Sequence, residues 1–238
     1  MIFSWPIARA TIRERLNPGA LICVGILVLL GLFRGGAAAG AEAFSGGSAA
    51  WVAIFVLVLG GALISSEVDS GHAQLVLLKP ITRGQWICGR FLGAALVLVA
   101  GAFLAWVGSV VAAVVRGGDL LLTIRLSVLP LVLLQALAWL ATAVALSTVI
   151  RGWINVVVAV AVKTGWLLAS NTLPAFYPKL LPIVPAVDPY TGPQDALSPF
   201  LLGTPWMPLA AWNLFWMFAA LTLAVFLFNR RELARRRA

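Results

Sequence analysis

Charged residues are scarce in this sequence: they account for 11% of its 238 residues, whereas hydrophobic residues account for 62%. This scarcity excludes an ordinary soluble domain, in which about 25% of residues are charged. Repeated apolar runs of bilayer length and a mean hydropathy of +1.02 instead predict an integral membrane protein that crosses the bilayer several times.

Cysteine and histidine are nearly absent as well. The two cysteines, Cys23 in the first apolar run and Cys88 in a polar loop, are too few for a disulfide framework. The single histidine, His72, has no cysteine or histidine at ligand spacing, so we expect no metal site. Because Ser65 and Ser66 have no histidine within local reach, we also expect no catalytic residues and no enzyme activity in this chain.

The sequence lacks a phosphate-binding loop. It contains no G-x-x-x-x-G-K-[ST], and none of Lys79, Lys163 and Lys179 follows a glycine. We therefore expect no cofactor here, and if ATP drives the protein, a separate subunit binds it. The net charge of +9 does not indicate nucleic acid as a partner, because the basic residues flank apolar runs and cluster at the chain ends.

The apolar runs predict an all-α membrane domain over residues 17–238 with six transmembrane helices. Residues 1–16 predict an amphipathic helix in the interface, its arginines toward anionic lipid head groups. A signal peptide, with AAAGAEA as its cleavage region, is the alternative for this part. The proline-rich residues 171–206 predict an outer cap, and residues 229–238 a basic cytoplasmic tail. The six predicted spans are residues 18–33, 49–66, 90–115, 122–150, 153–169 and 207–228.

The distribution of lysine and arginine predicts the orientation. With the N-terminus inside, twelve of the 17 basic residues fall on the inner side and four on the outer side. Both termini and the polar loop 67–90 are therefore expected in the cytoplasm. A multi-pass location in a bacterial plasma membrane follows.

The loop and the start of the next span, Glu67 to Gly93, form the most polar internal segment. It predicts a short surface helix from Val68 to Leu78, which Lys79-Pro80 stops. Thr82 then predicts the cap of a second helix that begins near Arg83 and enters the next span.

The order of residues in this segment resembles the signature of ABC-2 type exporter permeases: Glu67, Gly71, a leucine run ending in Lys79-Pro80-Ile81, Arg83, and Gly89 with Gly93. This resemblance implies that the loop is a coupling helix that rests on a cytoplasmic ATPase. It also implies two ATPase copies with their ATP and magnesium, and a second permease chain, identical or homologous. The implied ATPase-coupling interface is Glu67, Asp69, Gly71, His72, Leu75, Leu78, Lys79, Pro80 and Arg83.

Each of these assignments has a simpler alternative. The loop could be an ordinary solvated loop, and Arg83 and Arg90 could be positive-inside anchors only. Glu67 is expected to accept backbone N–H bonds at the start of the surface helix or to pair with Arg83 or Arg90. A helix cap of purely local importance is the alternative for Glu67.

Lys163 is the one charge well inside a predicted span, where an ionisable group is costly. It predicts a positive site on a substrate pathway with Gln135 as a polar neighbour. The alternative is a lysine that reaches the outer interface beside Trp166. For the whole chain, a non-transporting membrane scaffold that recruits a cytoplasmic partner is the alternative to an exporter subunit. A secondary transporter is a weaker one, because no inverted repeat is evident.

Overall fold

A computed structural model describes residues 4–16, 55–71 without 62, 78, 80–115, 117, 129–150 and 206–235, with scattered positions in 21–29 and 154–161. The described regular structure is helical, as the sequence predicts, and contains no strand. The helices with described bounds are α1 (Trp5–Arg15), α2 (Ser65–Asp69), α3 (Arg83–Val115), α4 (Leu129–Val149) and α5 (Trp206–Arg235), and residues 55–60 are also helical.

Helix α1 corresponds to the predicted amphipathic helix 1–16. Pro6 lies in its first turn, where a missing N–H is harmless. Its buried side consists of Ile7, Ala8 and Thr11, while Trp5 is 59% exposed. One side of α1 therefore packs on protein, and its apolar side chains do not form a single buried face.

The surface helix differs from the prediction of a helix over 68–78. Helix α2 begins earlier, at Ser65, and ends at Asp69, and Ser70 caps its C-terminus. Gly71 follows with φ +76°, a left-handed conformation that stops a helix after its C-cap. Val68 is buried, whereas Leu78, at the other end of the predicted helix, is 82% exposed.

The predicted cap of the second helix is confirmed. The Gln85 N–H donates to Thr82 Oγ1 at 3.2 Å, and the Thr82 N–H donates to Gln85 Oε1 at 3.0 Å. This reciprocal pair is a capping box, which satisfies two backbone donors at a helix start. Helix α3 then runs for 33 residues, roughly 50 Å at 1.5 Å per residue.

Two described helices are long and apolar enough to cross a bilayer: Arg83–Ala112 within α3 and Ala210–Arg230 within α5. A third apolar segment, Leu133–Val149 within α4, is shorter. Helix α5 starts one residue before predicted span six and remains helical to Arg235, through most of the predicted tail. These helices agree with a membrane protein of the all-α class.

The helices pack so that chain segments distant in sequence meet at one end. The Trp86 and Phe228 rings lie 5.3 Å apart, which places the start of α3 beside the end of α5. Arg83 Nη1 donates to Asn229 Oδ1 at 3.5 Å across the same junction. Helix α5 also packs along α4, which contacts α2. Both α1 and α2 pack at this end, which we call the loop end (α1, α2, the start of α3 and the end of α5).

Several predicted features lie outside the described residues. They are most of spans one and five, the cap 171–206 up to the start of α5 at Trp206, and the residues His72, Leu75, Lys79 and Lys163.

Candidate functional site

Two glycines bring α1 into close contact with α3. A Cβ atom on Gly93 would lie 2.5 Å from Thr11 Cβ and 2.6 Å from the Ala8 carbonyl oxygen. A Cβ atom on Gly89 would lie 3.0 Å from Ile7 Cβ. Small residues four positions apart let two helix backbones approach closely. The spacing of Gly89 and Gly93 therefore sets the contact between these helices.

Arg90 lies at this helix crossing, between the two glycines in sequence, and it is 5% exposed. Its Nη2 atom forms an ion pair with the Glu67 carboxylate, and its Nη1 atom lies 2.5 Å from Glu14 Oε2. The same Nη1 donates to Thr11 Oγ1 at 3.2 Å, while the Thr11 hydroxyl donates to the Ile7 carbonyl at 2.9 Å. We call these four residues the Arg90 cluster (Arg90, Glu67, Glu14 and Thr11).

The Arg90 cluster joins three elements that are far apart in sequence. Glu67 belongs to α2, Glu14 and Thr11 belong to α1, and Arg90 belongs to α3. Glu67 is 6% exposed, so its charge is stable there only because a guanidinium neutralises it. Removal of one partner would leave an uncompensated charge in a buried position. The cluster therefore fixes how α2 is oriented relative to the two other helices.

Arg15 supplies a second positive charge next to the cluster. Burial lowers the pKa of its guanidinium from its ordinary value, the charge of Glu14 opposes this change, and the charge of Arg90 reinforces it. Two carboxylates and two guanidiniums thus lie close together, and their formal charges cancel. Charge balance of this kind permits burial at the boundary of an apolar bundle.

The structure brings part of the predicted interface to the loop end. Asp69 ends α2 and is exposed, Leu78 and Pro80 are exposed, and Arg83 bonds to Asn229. Glu67 pairs with Arg90, which confirms one of the two predicted alternatives for this carboxylate. Gln135 lies on α4 and is half-buried.

Sequence reasoning missed the contributions of Glu14 and Thr11, and it assigned Gly71 to close approach by a partner. No described atom lies within 4 Å of a Cβ built on Gly71, and its positive φ gives the conformational reason for glycine there. A signal for Glu14 existed, because it is the only carboxylate among the first sixteen residues. The partner of Glu14 could not be read from a linear pattern, since Arg90 lies 76 residues away.

No protein-family model matches this sequence, and no curated protein matches it. The Arg90 cluster and the segments that meet at the loop end are therefore the features from which a function can be inferred. Among the described residues, no group of three or more His, Cys, Asp or Glu side chains could hold a metal ion. The cluster connects the polar loop directly to a helix of membrane length through the ion pair of Glu67 with Arg90.

Proposed function

We propose that this chain is the transmembrane subunit of an ATP-driven exporter of the ABC-2 type. It would contain six membrane spans, with both termini in the cytoplasm of a bacterial cell. It would pair with a second permease chain, identical or homologous. Two cytoplasmic ATPase subunits, which carry ATP and magnesium, would bind at the loop end. ATP hydrolysis there would move substrate across the membrane through changes in helix packing.

The observation that carries this proposal is the Arg90 cluster. A loop that transmits force from an ATPase must be fixed to the membrane helices that it moves, since a freely rotating loop would absorb the displacement. Glu67 fixes α2 to α3 through Arg90, and the same guanidinium fixes α1. A displacement of α2 would therefore reach α1 and α3 together.

The exposed residues of the loop end support contact with a partner protein. Leu78, in the middle of the polar loop 67–90, is 82% exposed and offers an apolar contact to a partner. Asp69 and Pro80 are exposed at the same end. An apolar contact flanked by polar residues is the common composition of a protein interface. Asp69, Gly71, Leu78, Pro80 and Arg83 are therefore the described residues that we assign to ATPase docking, with His72, Leu75 and Lys79 as further candidates.

The substrate pathway is proposed at the polar positions of the membrane domain. Gln135 is half-buried in the largely apolar helix α4. Lys163 would supply a positive charge for an anionic or head-group-bearing substrate. We therefore expect Lys163→Ala to alter transport without loss of ATPase docking, and an unchanged export rate would remove Lys163 from the pathway.

Cross-linking tests the docking assignment directly. The chain would be co-expressed with an ABC ATPase of the same organism, chosen by a gene position next to its own, after Cys23→Ser and Cys88→Ser remove the native thiols. Leu78→Cys should then cross-link to the ATPase. Leu104→Cys is the matched control, because Leu104 is 55% exposed but lies in the middle of α3.

Two outcomes would contradict the proposal. If the ATPase does not co-purify, or if Leu104→Cys cross-links as well as Leu78→Cys, the loop end is not its docking site. A complex that forms but shows no ATP-dependent transport in proteoliposomes would favour the membrane scaffold instead.

A further inference from the structure

The face of α1 that points away from α3 carries a basic groove that the Arg90 cluster does not use. Trp5, Pro6, Arg9, Ala10 and Arg13 line this groove, which has a volume of about 300 Å³. Arg9 and Arg13 are exposed. The residues that α1 buries against α3 lie on the opposite side, because each residue advances about 100° around a helix.

The arginines of α1 thus have two different roles. Arg15 lies beside the buried cluster, where the charges of Glu14 and Arg90 act on it. Arg9 and Arg13 form no ion pair with a carboxylate of the described residues, and the two carboxylates of the Arg90 cluster, Glu67 and Glu14, pair with Arg90. The guanidiniums of Arg9 and Arg13 can therefore bind an anionic group from outside the chain.

The positions of Arg9 and Arg13 on α1 suit one phosphate group. Residues four positions apart lie about 6 Å apart along a helix, on the same side. The guanidiniums of two such residues can converge and donate charge-assisted hydrogen bonds to the oxygens of a single phosphate. Trp5 lies one further turn along the same side and is 59% exposed, and indole rings prefer the level of lipid head groups.

We propose that this groove binds the headgroup phosphate of an anionic phospholipid. The occupant follows from three observations: the positive charge of Arg9 and Arg13, the exposed indole of Trp5, and the position of α1 against a helix of membrane length. If α1 were attracted to the membrane only by its overall positive charge, each of its arginines would contribute equally to lipid binding. The groove instead selects Arg9 and Arg13 and leaves out Arg15. This inference does not depend on an exporter function.

Native mass spectrometry of the full chain tests the proposal. Purified protein in detergent would be titrated with phosphatidylglycerol or with phosphatidylcholine, and bound lipid would be counted. The double variant Arg9→Gln with Arg13→Gln should bind phosphatidylglycerol roughly 30-fold more weakly, about fivefold per arginine. Its weak binding of phosphatidylcholine should not change.

The matched control removes two charges elsewhere at the same end of the molecule. Arg230→Gln with Arg231→Gln, near the end of α5, should leave phosphatidylglycerol binding close to that of the unaltered protein. An equal loss in both double variants would overturn the proposal, because it would show a diffuse attraction without a site. Unchanged binding after Arg9→Gln with Arg13→Gln would also overturn it.

A milder variant covers the case in which the glutamine variant does not fold. Arg9→Lys with Arg13→Lys keeps both charges but loses the planar guanidinium geometry. It should bind phosphatidylglycerol severalfold more weakly than the unaltered protein, and affinity equal to that of the unaltered protein would refute a phosphate clamp of paired guanidiniums. If the Arg9 and Arg13 variants lose ATPase binding but keep lipid binding, the groove faces an acidic protein segment and the lipid assignment is wrong.

Discussion

Arg90 determines the geometry of the loop end at the scale of single residues. Its guanidinium contacts two carboxylates and one hydroxyl group that belong to two other helices. A lysine could not replace it. A single ammonium group on a flexible side chain cannot donate hydrogen bonds at fixed angles to partners on two sides. The planar fork of arginine is what lets one buried residue hold α1 and α2 at once.

Glu67→Gln should destabilise the protein by about 3 kcal/mol. This value lies in the lower part of the range for breaking a buried ion pair, because Glu14 still neutralises Arg90 in the variant. Thermal unfolding in detergent, followed by circular dichroism, measures this change. Asp69→Asn is the control on the same helix, because Asp69 is exposed, and it should shift stability by less than about 0.5 kcal/mol.

A charge exchange provides a sharper version of this test. Glu67→Arg combined with Arg90→Glu restores an opposite pair between positions 67 and 90, but position 90 also faces Glu14. The two carboxylates would repel each other, so the exchange should not recover the lost stability. Full recovery would mean that Glu14 contributes nothing to the cluster.

Gly71 ends α2 in a left-handed conformation, and its substitution should follow conformational preference. Gly71→Ala should destabilise the turn by about 1 kcal/mol, because the left-handed region is unfavourable for alanine. Gly71→Asn should cost less, since asparagine adopts this conformation more readily. No described atom would touch the new Cβ, so steric exclusion is not the cause.

Comparison of the two variants in the same unfolding assay separates backbone strain from partner contact. If alanine and asparagine are equally harmful to coupling but neutral for stability, Gly71 acts through a partner surface, as the sequence alone suggested.

At the scale of elements, the contact between α1 and α3 depends on backbone proximity. The Cβ of an alanine at position 93 would overlap both Thr11 Cβ and the Ala8 carbonyl, and backbone atoms cannot move aside cheaply. A larger side chain there would push α1 away from α3 and separate Glu14 from Arg90.

Gly93→Leu should therefore detach α1 while α3 remains inserted, because leucine favours both helix formation and an apolar surrounding. Limited proteolysis should show faster cleavage after Arg13 and Arg15 than in the unaltered protein. Gly84→Leu is a suitable control, since only Val225 Cγ1 lies near a Cβ built at Gly84, at 3.9 Å. Equal protection in the two variants would show that α1 does not depend on this contact.

At the scale of the whole molecule, the loop end gathers the polar parts of the chain. Glu67, Arg90 and the end of α5 near Asn229 lie there together, although they are far apart in sequence. Val115 lies at the far end of α3, about 38 Å from Arg90 at 1.5 Å per residue, and is 80% exposed. The two ends of α3 are therefore separated by more than the hydrocarbon core of a bilayer, which is about 30 Å.

The proposed orientation predicts different access to the two ends. In a variant without Cys23 and Cys88, Leu78→Cys should react with an impermeant maleimide only in inside-out vesicles. Val115→Cys should be labelled only in intact, outer-membrane-permeabilised cells. Labelling of position 78 from outside would reverse the topology and remove the loop from the side where ATP is present.

The sequence by itself determined the class of structure. Apolar runs of bilayer length predict membrane helices because hydrocarbon accepts few charges, and Thr82 predicted a helix start because capping is local. For an ion pair of Glu67, the sequence predicted Arg83 or Arg90 as the partner. The local pattern sufficed for the cap of α3, because its two hydrogen bonds join residues only three positions apart.

Only the tertiary structure decided the rest. It selected Arg90 over Arg83 as the partner of Glu67, added Glu14 and Thr11, and shortened the surface helix at Gly71. It also separated Arg9 and Arg13, which line the groove, from Arg15, which lies beside the Arg90 cluster. The partners of Arg90 depend on which helix faces meet, and a linear pattern does not encode that, because Glu14 and Thr11 lie 76 and 79 residues from Arg90 in the chain.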